Sequence, residues 1–205
     1  MNAPDLHNIV AGFDNEAFGS QAVFRAALDA LSHPGRPLDM HLNTALPRQG
    51  HCAAAAFLLG LLDADTPLWL SSMLAGSDAA GWLRFHTGCP IVADPAAAQF
   101  LWVAQGDEMP ALSSLSLGCD AYPDQSATCV LEVNSLQADI AGWRLQGPGI
   151  AGERHLRVKG LPQDFVAQWH ANHAGFPRGV DVFLCTATQI AGLPRTTRIL
   201  PAQES

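Results

Sequence analysis

Apolar positions along the chain fall into short runs, and their spacing switches between the period of a helix and that of a strand. Val23, Phe24, Ala27, Leu28 and Leu31 recur at helical spacing, which predicts a helix entered at Gly19-Ser20 and stopped by His33-Pro34-Gly35, with Arg25 on its polar side. Pro37 to Leu42 reads as extended. Ala53 to Leu62 is apolar on every side and predicts a helix buried over most of its surface. Asp63-Ala64-Asp65-Thr66-Pro67 turns the chain into a strand at Leu68-Trp69-Leu70. Ser77 caps a short helix through Trp82 and Leu83 that ends at Arg84-Phe85-His86-Thr87-Gly88.

From Pro90 onward strands dominate. Pro90 to Ala93 and Phe100 to Val103 predict short buried strands, and Thr128 to Val133 and Trp143 to Gln146 two more. Between them, Gly106 to Tyr122 has no clear period and reads as irregular with one helical turn. In His155 to Lys159, alternation puts Leu156 and Val158 on one face and Lys159 on the wet one. Pro162 to His173 suits a helix with proline in its first turn. Val180 to Cys185 and Gln189 to Leu193 then pair as a hairpin turning near Ala187 and Thr188, which sets Val180 opposite Arg195 and Arg178 opposite Thr197. Intermixed strands and helices with short connections predict one α/β domain over residues 1–205, a mixed β-sheet flanked by helices, with residues 1–15 and 201–205 flexible.

Composition narrows the functions open to such a domain. Only 15% of the residues are charged, against roughly 25% in a typical soluble domain, so part of the surface is expected to be buried against another copy or another protein. A net charge of −8 excludes a general nucleic-acid binder, which needs a basic stripe to release counterions. A small phosphorylated ligand needs only a few arginines and stays open. Lys159 is the only lysine, so Schiff-base and lysine-base chemistry would have to run through a side chain placed on the wet face. Five cysteines without a C-x-x-C spacing read as reduced, buried thiols. The N-terminal residues lack a basic region followed by an apolar stretch, and the longest apolar run, Cys52 to Leu62, is far short of a membrane span. A cytoplasmic protein without a membrane partner is expected.

Two Pro-Arg elements, Phe176-Pro177-Arg178-Gly179-Val180-Asp181 and Gly192-Leu193-Pro194-Arg195-Thr196-Thr197-Arg198, flank the terminal hairpin and meet at its open end. An arginine beside the hydroxyls of Thr196 and Thr197, with backbone N–H groups close by, is the chemistry of an anion or phosphate site. Equally, Arg195 can pair with Asp181 and tie two strands together. Arg84, His86 and Thr87 place a cation, an imidazole and a hydroxyl near a helix end, either as an anion subsite or as a solvated surface. Gly147-Pro148-Gly149-Ile150-Ala151-Gly152 matches G-x-G-x-x-G but runs on toward strand alternation, so it reads as a tight glycine turn and not as a dinucleotide loop. His170 and His173 share a helix face without a third ligand, and no metal is expected there. The residues by themselves predict an α/β subunit with a candidate anion site.

Taken in order, Phe24-Arg25, Pro34-Gly35, Asp65-Thr66-Pro67, Arg84-Phe85-His86-Thr87, Gly147-Pro148-Gly149-Ile150, Phe176-Pro177-x-Gly179-x-Asp181 and Pro194-Arg195-Thr196-Thr197 resemble the PhnH family of the bacterial carbon–phosphorus lyase system. The resemblance implies the fold of the large domain of pyridoxal-phosphate-dependent transferases without the cofactor, a homodimer in isolation, and a place in a core complex with other subunits. That complex transfers an alkylphosphonate to the ribose C1 of ATP and releases adenine, as a ribose 1-methylphosphonate 5-triphosphate synthase. The resemblance puts the displacing chemistry on another subunit, and iron–sulfur and S-adenosylmethionine chemistry on a partner. It therefore implies no cofactor and no catalytic residue here. Gly147, Gly149, Pro177, Gly179, Asp181 and Pro194 carry over as structural motif positions. Arg84, His86, Arg195, Thr196 and Thr197 carry over as candidate ligand residues, for ATP or a phosphonate; Arg178, on a free position of the pattern, does not. The alternative function is a phosphate- or nucleotide-binding protein, or a weak transferase, acting through Arg84, His86 and Arg195.

Overall fold

A computed structural model describes residues 11–40 and 45–201. The expected flexibility of residues 1–10 and 202–205 lies outside that range, as do the last two residues of the extended segment expected at Pro37 to Leu42. Residues 11–15 include Phe13, which packs on the core.

The helices are α1 (Glu16–Ser32), α2 (Cys52–Leu61), α3 (Ser72–Ala75), α4 (Asp78–Thr87) and α5 (Phe165–Ala174). The strands are β1 (Leu38–Asp39), β2 (Leu68–Leu70), β3 (Phe100–Val103), β4 (Thr128–Glu132), β5 (Ser135–Gln137), β6 (Trp143–Gln146), β7 (Arg154–Lys159), β8 (Asp181–Cys185), β9 (Gln189–Leu193) and β10 (Arg198–Leu200). A six-stranded mixed sheet runs in the order β1-β9-β8-β4-β3-β2, and a four-stranded sheet in the order β10-β6-β7-β5. Strands β2, β3, β4 and β8 are parallel, β9 runs antiparallel to β8, and β1 runs antiparallel to β9. All pairs of the smaller sheet are antiparallel.

Alternation along the parallel strands feeds two cores. Val130, Phe183 and Cys185 face Val23, Phe57, Leu58 and Trp82 from α1, α2 and α4. Cys129, Leu131, Val182 and Leu184 face Phe165 and Trp169 of α5 together with Leu145, Leu156 and Ile199 of the smaller sheet. Strands covered on both sides read as continuous apolar runs, which is why β3, β4 and β8 are so plain in the sequence.

The structure departs from expectation at several places. Helix α1 starts at Glu16, because the Asn15 side chain accepts a hydrogen bond from the Phe18 N–H at 3.1 Å. Of its apolar residues, Val23, Ala27 and Ala30 are buried, whereas Phe24 and Leu28 are exposed. Pro90 to Ala93 is not a buried strand: Ile91 makes one bridge to Leu68 and is half-buried. Helix α5 starts at Phe165, whose N–H bonds back to the Pro162 carbonyl in a preceding turn. Cys52 and Cys119 are exposed; only Cys89, Cys129 and Cys185 are buried. Two sheets exist where a single mixed sheet was expected, because the short strands β5 and β10 extend the β6–β7 hairpin on both sides. Lys159 is exposed, as its alternation requires.

Candidate functional site

Strands β8 and β9 pair in the expected register, Val182 with Leu193 and Cys185 with Ile190. The turn closes through the Thr186 N–H and the Gln189 carbonyl, and the Thr186 hydroxyl accepts from the Gln189 N–H at 3.0 Å. That register delivers Arg195 to Asp181. Its Nε and Nη2 donate to the two carboxylate oxygens at 3.2 and 2.6 Å, and its backbone N–H to Oδ1 at 2.7 Å. Nη1 donates to the carbonyls of Pro123 and Pro177, and Nη2 also to the Ser126 hydroxyl. The side chain is 12% exposed. Every guanidinium nitrogen is engaged inside the protein, so Arg195 is the tie between strands.

Two further motif segments close on the same end. Pro177 follows a cis peptide bond, and Gly179, at φ 141°, lies against Asn172 of α5. A side chain at Gly179 would stand 2.9 Å from the Asn172 amide oxygen, which accepts from the Val180 N–H while the amide nitrogen donates to the Val180 carbonyl. Gly147-Pro148-Gly149 opens the connection between antiparallel strands β6 and β7, so the G-x-G-x-x-G match is a turn. At Gly149, φ is 82° and an added Cβ would stand 2.2 Å from the Ser32 carbonyl oxygen. Thr197 is buried, and its carbonyl accepts from the Trp169 indole at 2.8 Å. The Pro-Arg-Thr-Thr run is thus clamped between α5 and the glycine turn.

A cavity of about 510 Å³ opens where these segments meet, lined by Gln146, Gly147, Pro148, His173, Phe176, Thr196 and Arg198. His173 hydrogen-bonds through Nδ1 to the Arg195 carbonyl at 2.9 Å, and Arg198 Nε donates to His173 Nε2 at 3.3 Å. His170 bonds instead to the Ile199 carbonyl. The two imidazoles therefore fasten α5 to the last strand, and among the described residues no cluster of three metal-ligating side chains occurs.

Arg84 and His86 sit at the other candidate site, the last turn of α4, whose exit is shaped by Gly88 at φ 73°. Arg84 is exposed. His86 lines a cavity of about 310 Å³ together with Glu16 and Asp63, its ring 5.0 Å from that of Trp82. The Thr66 hydroxyl and the Asp65 N–H hold the Asp63 carboxyl below its ordinary range, so this rim is anionic at neutral pH. Negative groups beside His86 oppose a phosphate there.

Sequence reasoning missed Glu132. It ends β4 at the carboxyl edge of the parallel strands, where open α/β sheets place ligands, and is 3% exposed. Oε1 accepts from the Trp102 indole at 2.9 Å and the His51 N–H at 2.5 Å, and Oε2 from the Gln105 N–H at 3.2 Å. The His51 ring bonds through Nδ1 to the Cys185 carbonyl at 3.1 Å, with Nε2 4.0 Å from the carboxylate. Burial, and secondarily the Glu132 charge, pushes the Cys185 thiol well above its ordinary range. The carboxylate ties β4 to the segments before α2 and after β3, filling this edge with the protein's own groups. A lone acid after an apolar run was the only trace of it in the sequence.

Comparisons with known proteins agree with the motif arrangement. The chain is 36% identical over 189 residues to the "Alpha-D-ribose 1-methylphosphonate 5-triphosphate synthase subunit PhnH" of Rhizobium meliloti (strain 1021), covering 91% of this chain and 93% of that protein. It is 31% identical over 183 residues to the "Putative C-P lyase subunit protein HtxG" of Stutzerimonas stutzeri, covering 87% and 85% respectively. The profile of the bacterial phosphonate metabolism protein (PhnH) family matches residues 11–200, and this chain belongs to that family.

Proposed function

We propose that this chain is the PhnH-type subunit of a carbon–phosphorus lyase core complex, needed for transfer of an alkylphosphonate to the ribose C1 of ATP with release of adenine, and not itself catalytic. The observation that carries this reading is the 36% identity over 91% of the chain to a protein named as a synthase subunit. Internal consumption of the Arg195 guanidinium supports the non-catalytic part, because the most prominent motif arginine is spent on the fold.

The fold in this reading is that of the large domain of pyridoxal-phosphate-dependent transferases, without the cofactor. In support, the lone lysine lies exposed at the end of β7 in the smaller sheet, not among the parallel strands where a Schiff base would be sought. Iron–sulfur and S-adenosylmethionine chemistry fall to a partner subunit. Exposed Phe18, Phe24 and Leu28 along α1 suit burial against a second copy or a partner. Among the described residues no helix is long and apolar enough to cross a membrane, in keeping with a cytoplasmic assembly.

Co-expression with the other core subunits tests the proposal. The chain is expected to co-elute with them in a defined stoichiometry, and a chain that elutes alone under those conditions sinks the reading.

A further inference from the structure

We propose that the cavity between the β6–β7 connection, the last turn of α5 and the start of β10 binds a phosphoryl or phosphonyl oxyanion, with Arg198 as its cation. The residues that line it, Gln146, Gly147, Pro148, His173, Phe176, Thr196 and Arg198, include no acid. The Glu153 carboxylate, which the Gln146 amide reaches at 2.8 Å, is paired with Arg144 at 3.4 Å. Among the described residues the lining therefore presents one cation, Arg198, and no acid.

Arg198 differs from Arg195 in how its donors are used. Its one hydrogen bond among the described residues runs from Nε to His173 Nε2, a neutral acceptor, and both Nη groups remain for a ligand. His173 in turn has its tautomer dictated by its neighbours. The Arg195 carbonyl can only accept, so Nδ1 carries the proton; Arg198 Nε can only donate, so Nε2 presents its lone pair. The tied Arg195 backbone thus aims His173, and His173 aims the Arg198 guanidinium. A guanidinium held in this way loses less freedom when it forks onto two oxyanion oxygens. Thr196 adds a hydroxyl at the lining, and Phe176, 59% exposed, adds an aromatic wall. About 510 Å³ is room for an organic phosphonate or phosphate monoester, not only a bare ion. The ligand class is an oxyanion whose substituent lies on the Phe176 ring.

Calorimetry on the isolated full chain at low salt, with inorganic phosphate, methylphosphonate and phenylphosphonate as probes, tests the site. All three are expected to bind saturably, phenylphosphonate most tightly. Arg198→Gln should weaken binding by about tenfold or more, the scale of losing a charge-assisted pair, with an unchanged thermal transition because the side chain is exposed. Arg198→Lys should keep part of the affinity, His173→Phe should lose part of it, and Phe176→Ala should erase the preference for the phenyl group. No saturable binding of any probe overturns the proposal. So does binding that survives Arg198→Gln, or that disappears instead with Arg84→Ala. Because the isolated chain is used, failure here leaves the assembly reading standing, and a chain that binds the probes but joins no complex fails the other reading alone.

Discussion

Asp181 and Arg195 meet at three points: Oδ1 receives the Arg195 backbone N–H at 2.7 Å and Nε at 3.2 Å, and Oδ2 receives Nη2 at 2.6 Å. The same guanidinium reaches Pro123, Ser126 and Pro177, so one side chain closes the open end of the β8–β9 hairpin over two loops. Arg195→Ala would strand a part-buried carboxylate and two carbonyls. We expect it to cost about 2–4 kcal/mol in chemical denaturation. Arg195→Lys should recover less than half of that, since an ammonium cannot span the same acceptors.

Glu132 gives the second prediction. Each of its oxygens faces N–H donors, Trp102 and His51 on one and Gln105 on the other. Glu132→Gln turns an NH₂ toward at least one of them and leaves a buried donor without an acceptor. The expected loss is about 1–3 kcal/mol, accompanied by a shift in tryptophan emission as the indole of Trp102 loses its partner. Unchanged stability would mean that the carboxylate does not hold this edge together.

The hairpin register, the buried helix α2 and the Ser77-capped helix α4 were legible because each is a long or well-punctuated apolar pattern. Strands β5 and β10, three residues each, carry no readable period, so β6 and β7 were legible as strands but not as the centre of a separate sheet. Helical spacing alone could not tell Phe24 and Leu28, which are exposed, from Val23 and Ala27, which are buried. At the site, the Pro-Arg-Thr-Thr run drew attention to Arg195. Only the tertiary structure shows that its donors are spent on Asp181 and three loop residues, while Arg198, three positions on, keeps its Nη groups unspent among the described residues. Orientation of a side chain across a hairpin end depends on what the neighbouring loops bring, and no local pattern records that.

Glycines of the β6–β7 connection should separate space from backbone conformation. Gly149 and Gly152 both have left-handed φ, 82° and 78°. A Cβ at Gly149 would meet the Ser32 carbonyl at 2.2 Å, whereas at Gly152 it meets open space. Gly152→Ala should therefore cost about 1–2 kcal/mol, the left-handed penalty alone. Gly149→Ala should cost about 3 kcal/mol or more, because the end of α1 must also move. Equal losses in denaturant titrations would contradict the close packing of the glycine turn on α1.

The cysteines predict an alkaline limit to stability. Burial pushes the Cys129 thiol up to about 12 from its ordinary 9.0 and also raises Cys89 and Cys185, the last with help from the Glu132 charge. A thiol whose folded pKa lies above its unfolded one keeps its proton in the folded chain after the unfolded chain has lost it. Its contribution is therefore whole below about pH 9 and is lost as pH rises from there, by about 1.4 kcal/mol per pH unit for each thiol that remains protonated. Denaturation between pH 8 and pH 11 should show stability falling above pH 9 with a slope set by the buried thiols. Cys129→Ala should make that slope shallower. In the native protein a thiol reagent should modify Cys52 and Cys119 quickly and reach the other three only on unfolding. Fast modification of all five at pH 8 would show that the sheet does not shield Cys129 and Cys185.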